Sequence, residues 1–137
     1  MNKRRVLILC TGNSARSQMA EGLLREMAGD RFEVFSAGTR PAGLNPNAVA
    51  AMAEIGIDIA GHRSKAADEF AGREFDYVIT VCDNAREACP VFPGHGKKLH
   101  HSFEDPAAAS AERQPEVFRR VRDQIGVWLR EFVNEVS

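Results

Sequence analysis

Arg5-Val6-Leu7-Ile8-Leu9-Cys10-Thr11-Gly12-Asn13-Ser14-Ala15-Arg16-Ser17 decides how the rest of the chain is read. Arg5 to Cys10 is apolar and rich in β-formers, the pattern of a strand buried on both faces. The polar run that follows breaks the strand, and Ala15 to Gly29 reads as a helix. Met19, Ala20, Leu23, Leu24 and Met27 form its apolar stripe. A tight loop that opens a helix offers a row of backbone N–H groups reinforced by the helix dipole, which is an anion site. Gly12 permits the sharp turn, and Asn13 tolerates unusual dihedrals. Arg16 is a planar fork that grips two oxyanion oxygens. Cys10 then lies beneath the central atom of a tetrahedral anion held by Thr11, Gly12, Asn13, Ser14, Ala15, Arg16 and Ser17. The positive surroundings favour the thiolate, which is the nucleophilic form, and Ser17 is placed to donate a hydrogen bond to it. The plainer alternative is a buried strand-end cysteine followed by a capping serine.

Outward from this stretch, Phe32 to Ser36 alternates as a second strand, and Pro46 to Ile55 is a short helix with Pro at its start and Gly56 as its stop. Ala66 to Phe70 makes a helical turn or two. Tyr77 to Val81 is a third strand, Asp83 to Cys89 a short helix closed by Pro90, and Lys97 to Ser102 a fourth, less apolar strand. Pro115 to Val136 is the clearest helix, with Val117, Phe118, Val121, Ile125, Trp128, Leu129, Phe132, Val133 and Val136 on one face. Strands alternating with helices predict an α/β fold: a four-stranded parallel sheet flanked by helices on both faces. Ligands of such sheets bind beyond the carboxyl ends of the strands. Cys10, Ser36, Cys82 and Asp105 all fall on that rim.

The chain has 137 residues, expected to form a single domain over 1–137, with 44% hydrophobic and 27% charged residues and a net charge of -1. That balance gives no basic field for nucleic acid. Asn2 to Arg5 ahead of Val6 to Leu9 has the charge of a leader peptide, but the apolar part is too short, and no segment reaches membrane-span length. A cytoplasmic location is expected, and nothing requires more than a monomer. Three cysteines do not suit a disulfide scaffold; in a reducing compartment they point to reactive thiols or a metal.

Asp105, followed by Pro106, is placed to protonate a leaving oxygen opposite the nucleophile, with Glu104 as the neighbouring alternative. Cys82 and Cys89 stand seven positions apart. Along a helix that is about 10 Å at about 1.5 Å per residue, whereas a disulfide needs Cα atoms within about 7 Å. Either the two never pair, or pairing unwinds the helix and makes the segment a redox switch. Cys82 as a small buried hydrophobe and a zinc site with His95 and His100 or His101 compete with that reading; Cys-x6-Cys is not a usual zinc spacing, so no metal is expected. His62, His100 and His101 have no defined partner in the sequence.

Cys10-Thr-Gly-Asn-Ser-Ala-Arg16-Ser17, Ser36-Ala-Gly-Thr39, Val81-Cys82-Asp83-Asn84 with Cys89-Pro90, and Asp105-Pro106 together resemble the thioredoxin-coupled arsenate reductases, built on the low-molecular-weight protein tyrosine phosphatase fold. The first and last motifs are shared with the phosphatases; the Cys82/Cys89 pair separates the reductases. The resemblance implies arsenate as substrate, Cys10, Cys82 and Cys89 as a thiol relay, Arg16 and Asp105 as its helpers, no tightly bound cofactor, and thioredoxin as reductant. Glutaredoxin with glutathione, or another small thiol, stays open as donor. Related proteins look to hold potassium at the positions of Asn13, Glu21, Ser36 and an Asp where this chain has Lys65; the lysine is expected to replace that ion by pairing with Glu21. The alternatives are a phosphatase hydrolysing a phosphocysteine at Cys10, and a non-enzymatic oxyanion-binding or thiol-sensing module.

Overall fold

A computed structural model of the chain describes residues 3–83 and 96–136. The expected helix from Asp83 to Cys89, and with it Cys89 and His95, lies outside the described residues beyond Asp83.

Four strands, β1 (Arg4–Cys10), β2 (Phe32–Gly38), β3 (Tyr77–Thr80) and β4 (Lys97–His100), form one sheet in the order β2-β1-β3-β4. Every pairing is parallel, so Cys10, Gly38, Thr80 and His100 end on the same rim, as the βαβ pattern requires. The central β1 is buried from Val6 to Cys10, which is why it reads as an unbroken apolar run. β4 is an edge strand, and its lysines are exposed.

The helices are α1 (Arg16–Ala28), α2 (Pro46–Ala53) and α3 (Gln114–Val136). Register puts Phe32, Val34, Val6, Ile8 and Tyr77 on one face of the sheet. Phe132 of α3 packs there on Phe32 and Tyr77, and α1 and α2 pack against α3. The other face carries Leu7, Phe35 and Val78, and a 3-10 turn at Ala67–Phe70 covers it through contacts among Phe35, Phe70 and Phe75. Asn45 caps α2 by accepting a hydrogen bond from the Asn47 N–H at 2.8 Å, with Pro46 next, and Gly56 at φ 79° follows the helix as expected.

Most boundaries shift by one or two residues from expectation; among them α2 stops at Ala53 rather than Ile55 and β4 at His100 rather than Ser102. Trp128, expected in the core face of α3, is only half-buried; it stacks on Phe132 with its other contact to the exposed His101. Over 23 residues the apolar stripe drifts around the helix and carries Trp128 to its margin.

Candidate active site

The loop from Cys10 to Ser17 is built by turning its carbonyls outward. Thr39, Arg40, Ala42 and Asn45 donate their backbone N–H groups to the carbonyls of Cys10, Thr11, Gly12 and Ser14 at 3.2, 2.8, 2.9 and 2.9 Å. The Gln18 side chain donates to the carbonyl of Asn13 at 3.1 Å. Five successive carbonyls of the loop are thus engaged by neighbouring donors, so its peptide N–H groups are the polar groups left to meet an anion. No side chain caps α1, so its leading N–H groups are not taken by a cap either. Asn13 sits at φ 46°, the positive value that reverses the chain at this point. Gly38 allows β2 to pass under the loop: a Cβ there would lie 2.6 Å from the Thr11 carbonyl oxygen.

The Cys10 sulfur lies 2.9 Å from Ser17 Oγ in a fully buried contact. Asn13 Nδ2 donates to Ser17 Oγ at 2.8 Å and to Ser36 Oγ at 3.0 Å. A thiolate at Cys10 can only accept, so toward it the Ser17 hydroxyl is the donor, and that donor stabilises the charge. Ser36 donates in turn to Glu21 Oε1 at 2.5 Å. A single chain of hydrogen bonds thus links Cys10 to the buried carboxylate of Glu21.

Glu21 is compensated by two cations and bordered by a histidine. Arg25 lies 2.7 Å away, Lys65 Nζ 3.7 Å and His62 Nδ1 3.8 Å. The pairing of Lys65 with Glu21 is the one expected from the sequence. Lys65 Nζ also donates to the Arg63 carbonyl at 2.9 Å, and its backbone N–H to Asn13 Oδ1 at 2.8 Å. Burial pushes the Lys65 ammonium below its usual range, and the Glu21 carboxylate opposes that push. The groups around Glu21 do not fit a potassium ion, because an added cation would face both Arg25 and Lys65 across one carboxylate. Among the described residues no cluster of three or more His, Cys, Asp and Glu side chains could hold a metal.

His62 has partners that the sequence did not reveal. Arg25 Nη1 lies 3.3 Å from Nε2, and Gln18 Oε1 lies 3.0 Å from Nδ1. A guanidinium can only donate, so Nε2 accepts and Nδ1–H donates to the amide oxygen: the ring is neutral. Burial, then the cations Arg25 and Lys65, lower its pKa from 6.5 against the pull of Glu21. Gln18, fully buried, braces both Asn13 and the Arg63 carbonyl. A glutamine beside the apolar stripe of α1 was the one sequence signal of that role.

Arg16 reaches over the loop and donates to the Phe103 carbonyl at 3.0 Å, and its second nitrogen lies 3.9 Å from Asp105 Oδ2. Asp105 is half-exposed at the rim; its Oδ1 accepts from the Ala107 N–H at 3.0 Å at the start of a 3-10 turn, Pro106–Ala108. Glu104 instead pairs with Arg120 at 2.6 Å, on α3. Of the two acids, the arrangement brings Asp105 to the guanidinium and commits Glu104 elsewhere. Cys82 follows β3, buried, with its sulfur 3.2 Å from Thr11 Oγ1 of the loop. The described site therefore assembles Cys10, Arg16, Ser17, Cys82 and Asp105 at one rim.

The family model for low molecular weight phosphotyrosine protein phosphatase matches residues 5–137. The chain belongs to this family. An arsenate reductase of Halalkalibacterium halodurans is 47% identical over 134 residues, covering 96% of each chain. The solved structure of an arsenate reductase in its oxidised state superposes with a TM-score of 0.85 at 31% identity, over 98% of this chain and 99% of that one. A thioredoxin-dependent arsenate reductase of Corynebacterium glutamicum superposes with a TM-score of 0.71 at 28% identity, over 97% of this chain and 63% of that one. The four-stranded parallel sheet expected from the sequence is the fold these proteins share. Among the described residues no helix is long and apolar enough to cross a membrane.

Proposed function

We propose that this protein reduces arsenate to arsenite through Cys10, Cys82 and Cys89, and that thioredoxin recycles it, as part of arsenic detoxification in a reducing cytoplasm. The observation that carries the reading is the second thiol at the loop: Cys82 Sγ lies 3.2 Å from Thr11 Oγ1. Hydrolysis of a phosphocysteine has no use for it, whereas reduction requires it.

Arsenate sits in the loop from Thr11 to Ser17, held by its N–H groups and the Arg16 fork. The Cys10 thiolate attacks arsenic, and an As–O bond breaks as Asp105 protonates the departing oxygen. The Cys82 thiolate then attacks the Cys10 sulfur. An S–S bond forms, the S–As bond breaks, and its electron pair stays on arsenic, which leaves as arsenite. Cys89 attacks Cys82 and frees the Cys10 thiolate, and the thioredoxin dithiol reduces the Cys82–Cys89 disulfide by the same exchange.

Asp105→Asn lowers steady-state arsenate reduction about 10²-fold, the size of a general-acid contribution. Glu104→Gln stays within about twofold, since Glu104 is paired with Arg120 at the surface. Equal losses in the two variants would remove the proton donor from Asp105. Because the Lys65 ammonium already neutralises Glu21, the rate in potassium chloride equals that in sodium chloride at matched ionic strength; marked activation by potassium would contradict that assignment.

The functional test is NADPH oxidation in the presence of thioredoxin, thioredoxin reductase and arsenate. Arsenate-dependent turnover supports the reading. Inactivity with thioredoxin, glutaredoxin and small thiols alike rejects it. Weak hydrolysis of p-nitrophenyl phosphate discriminates nothing, because the shared loop supports it.

A further inference from the structure

The sheet ladder on the Cys82 side runs as far as Val81, whose N–H donates to the Leu9 carbonyl at 2.9 Å and whose carbonyl accepts from Phe103 at 3.0 Å. Asp83, two residues on, is tied back to the sheet by a side chain of β4. His100 Nε2 lies 3.0 Å from Asp83 Oδ1, and His100 Nδ1 lies 2.7 Å from Thr80 Oγ1. The proton positions follow from the partners. A carboxylate only accepts, so Nε2 carries the proton. Nδ1 shares the second hydrogen bond with the Thr80 hydroxyl, whose oxygen also lies 3.5 Å from the Leu99 carbonyl. Thr80 is buried and the imidazole mostly so, while the Asp83 side chain is 74% exposed. The rigid end of the relay is thus in the sheet and the yielding end on the segment that carries the second thiol.

We propose that His100 is a positioning residue for the relay: through Asp83 it pins the backbone that carries Cys82 at the loop, so that Cys82 is aimed at Cys10. This rests on the arsenate reductase reading. In that reading Cys82 has two conflicting tasks. It must hold still to attack the Cys10 sulfur, and it must later receive Cys89 from seven residues further along. A tie at Asp83 serves the first task by fixing Cys82 for its attack. The exchange itself is unchanged: the new bond is Cys10–Cys82, the broken bond is S–As, and arsenic keeps the electron pair.

The test is single-turnover arsenite release without reductant, measured beside equilibrium binding of inorganic phosphate and the thermal midpoint. His100→Ala and Asp83→Ala each slow release about tenfold, the worth of one hydrogen bond to a charged group, and the double variant is no slower than either. Asp83→Asn stays within about twofold, because an amide oxygen also accepts from Nε2–H. Phosphate affinity stays at the wild-type value in all of them, a split that a general loosening of the fold would not give. Asp83→Ala removes an exposed side chain, so it reports even where His100→Ala folds poorly. Release by Asp83→Ala at the wild-type rate, or losses that multiply in the double variant, overturns the proposal. Wild-type protein that releases no arsenite overturns the reductase reading and the proposal with it.

Discussion

Cys89→Ser protein releases one arsenite per molecule and then stops, whereas Cys82→Ser protein releases none. The difference follows from where each thiol enters. In the proposed relay Cys82 breaks the S–As bond, so its loss strands arsenic on Cys10. Cys89 acts only after arsenite has left, so its loss strands a Cys10–Cys82 disulfide. Both variants lose steady-state turnover by about 10³-fold or more, because an external thiol must replace a neighbouring one whose effective molarity is several orders of magnitude higher. Phosphate binding persists in both, since neither thiol belongs to the Thr11–Ser17 cradle. A Cys82→Ser variant that turned over normally would leave a single-thiol reaction at Cys10.

Arg16→Lys lowers kcat/KM for arsenate by about 10²–10³-fold, the usual cost of losing a principal oxyanion donor. Charge is kept, so the loss isolates geometry. On the proposed reading Arg16 spans two oxygens of the anion as a fork, and the Phe103 carbonyl at 3.0 Å holds it over the loop. A lysine offers one compact ammonium and cannot make both contacts. The thermal midpoint of Arg16→Lys remains close to that of wild type, because the loop is braced from outside by Thr39, Arg40, Ala42 and Asn45 rather than by Arg16. Activity within a few-fold of wild type would mean that the backbone N–H groups alone hold the anion.

The parts of this site that were legible in the sequence are the local ones. β1, the Gly12-Asn13 turn and α1 are contiguous, so periodicity and turn chemistry place Cys10, Arg16 and Ser17 together without tertiary information. The parallel order of the strands brings Ser36 and Cys82 to the same rim. Apart from the Lys65–Glu21 pair, the contacts that cross the fold could not be read. The segment from Thr39 to Asn45 has no periodicity to read, yet four of its backbone N–H groups engage carbonyls of the anion loop. His62 and His100 had no defined partner in one dimension; folding sets His62 against Gln18 and Arg25, and His100 between Thr80 and Asp83. Glu104 and Asp105 are chemically alike neighbours, and their positions beside Arg120 on α3 and beside Arg16 at the loop distinguish them.

The link from Cys10 through Ser17, Asn13 and Ser36 to Glu21 also explains why residues distant in sequence bear on one sulfur. Two of its members are braced further: Asn13 Oδ1 accepts from Lys65 and Gln18, and Glu21 is held by Arg25 and Lys65. Networks of this kind fix donor directions, and here the direction that matters is the Ser17 hydroxyl toward sulfur.

The central claim is that two electrons leave through three sulfurs, and peptide mapping after one turnover tests it most directly. Reduced protein is mixed with excess arsenate without any reductant, quenched with an alkylating agent and digested. The account predicts one arsenite per chain, alkylation of Cys10, and a Cys82–Cys89 disulfide; in Cys89→Ser the disulfide is Cys10–Cys82. Alkylation of all three cysteines with no arsenite formed would contradict the relay and leave a phosphatase-type loop that binds arsenate without reducing it.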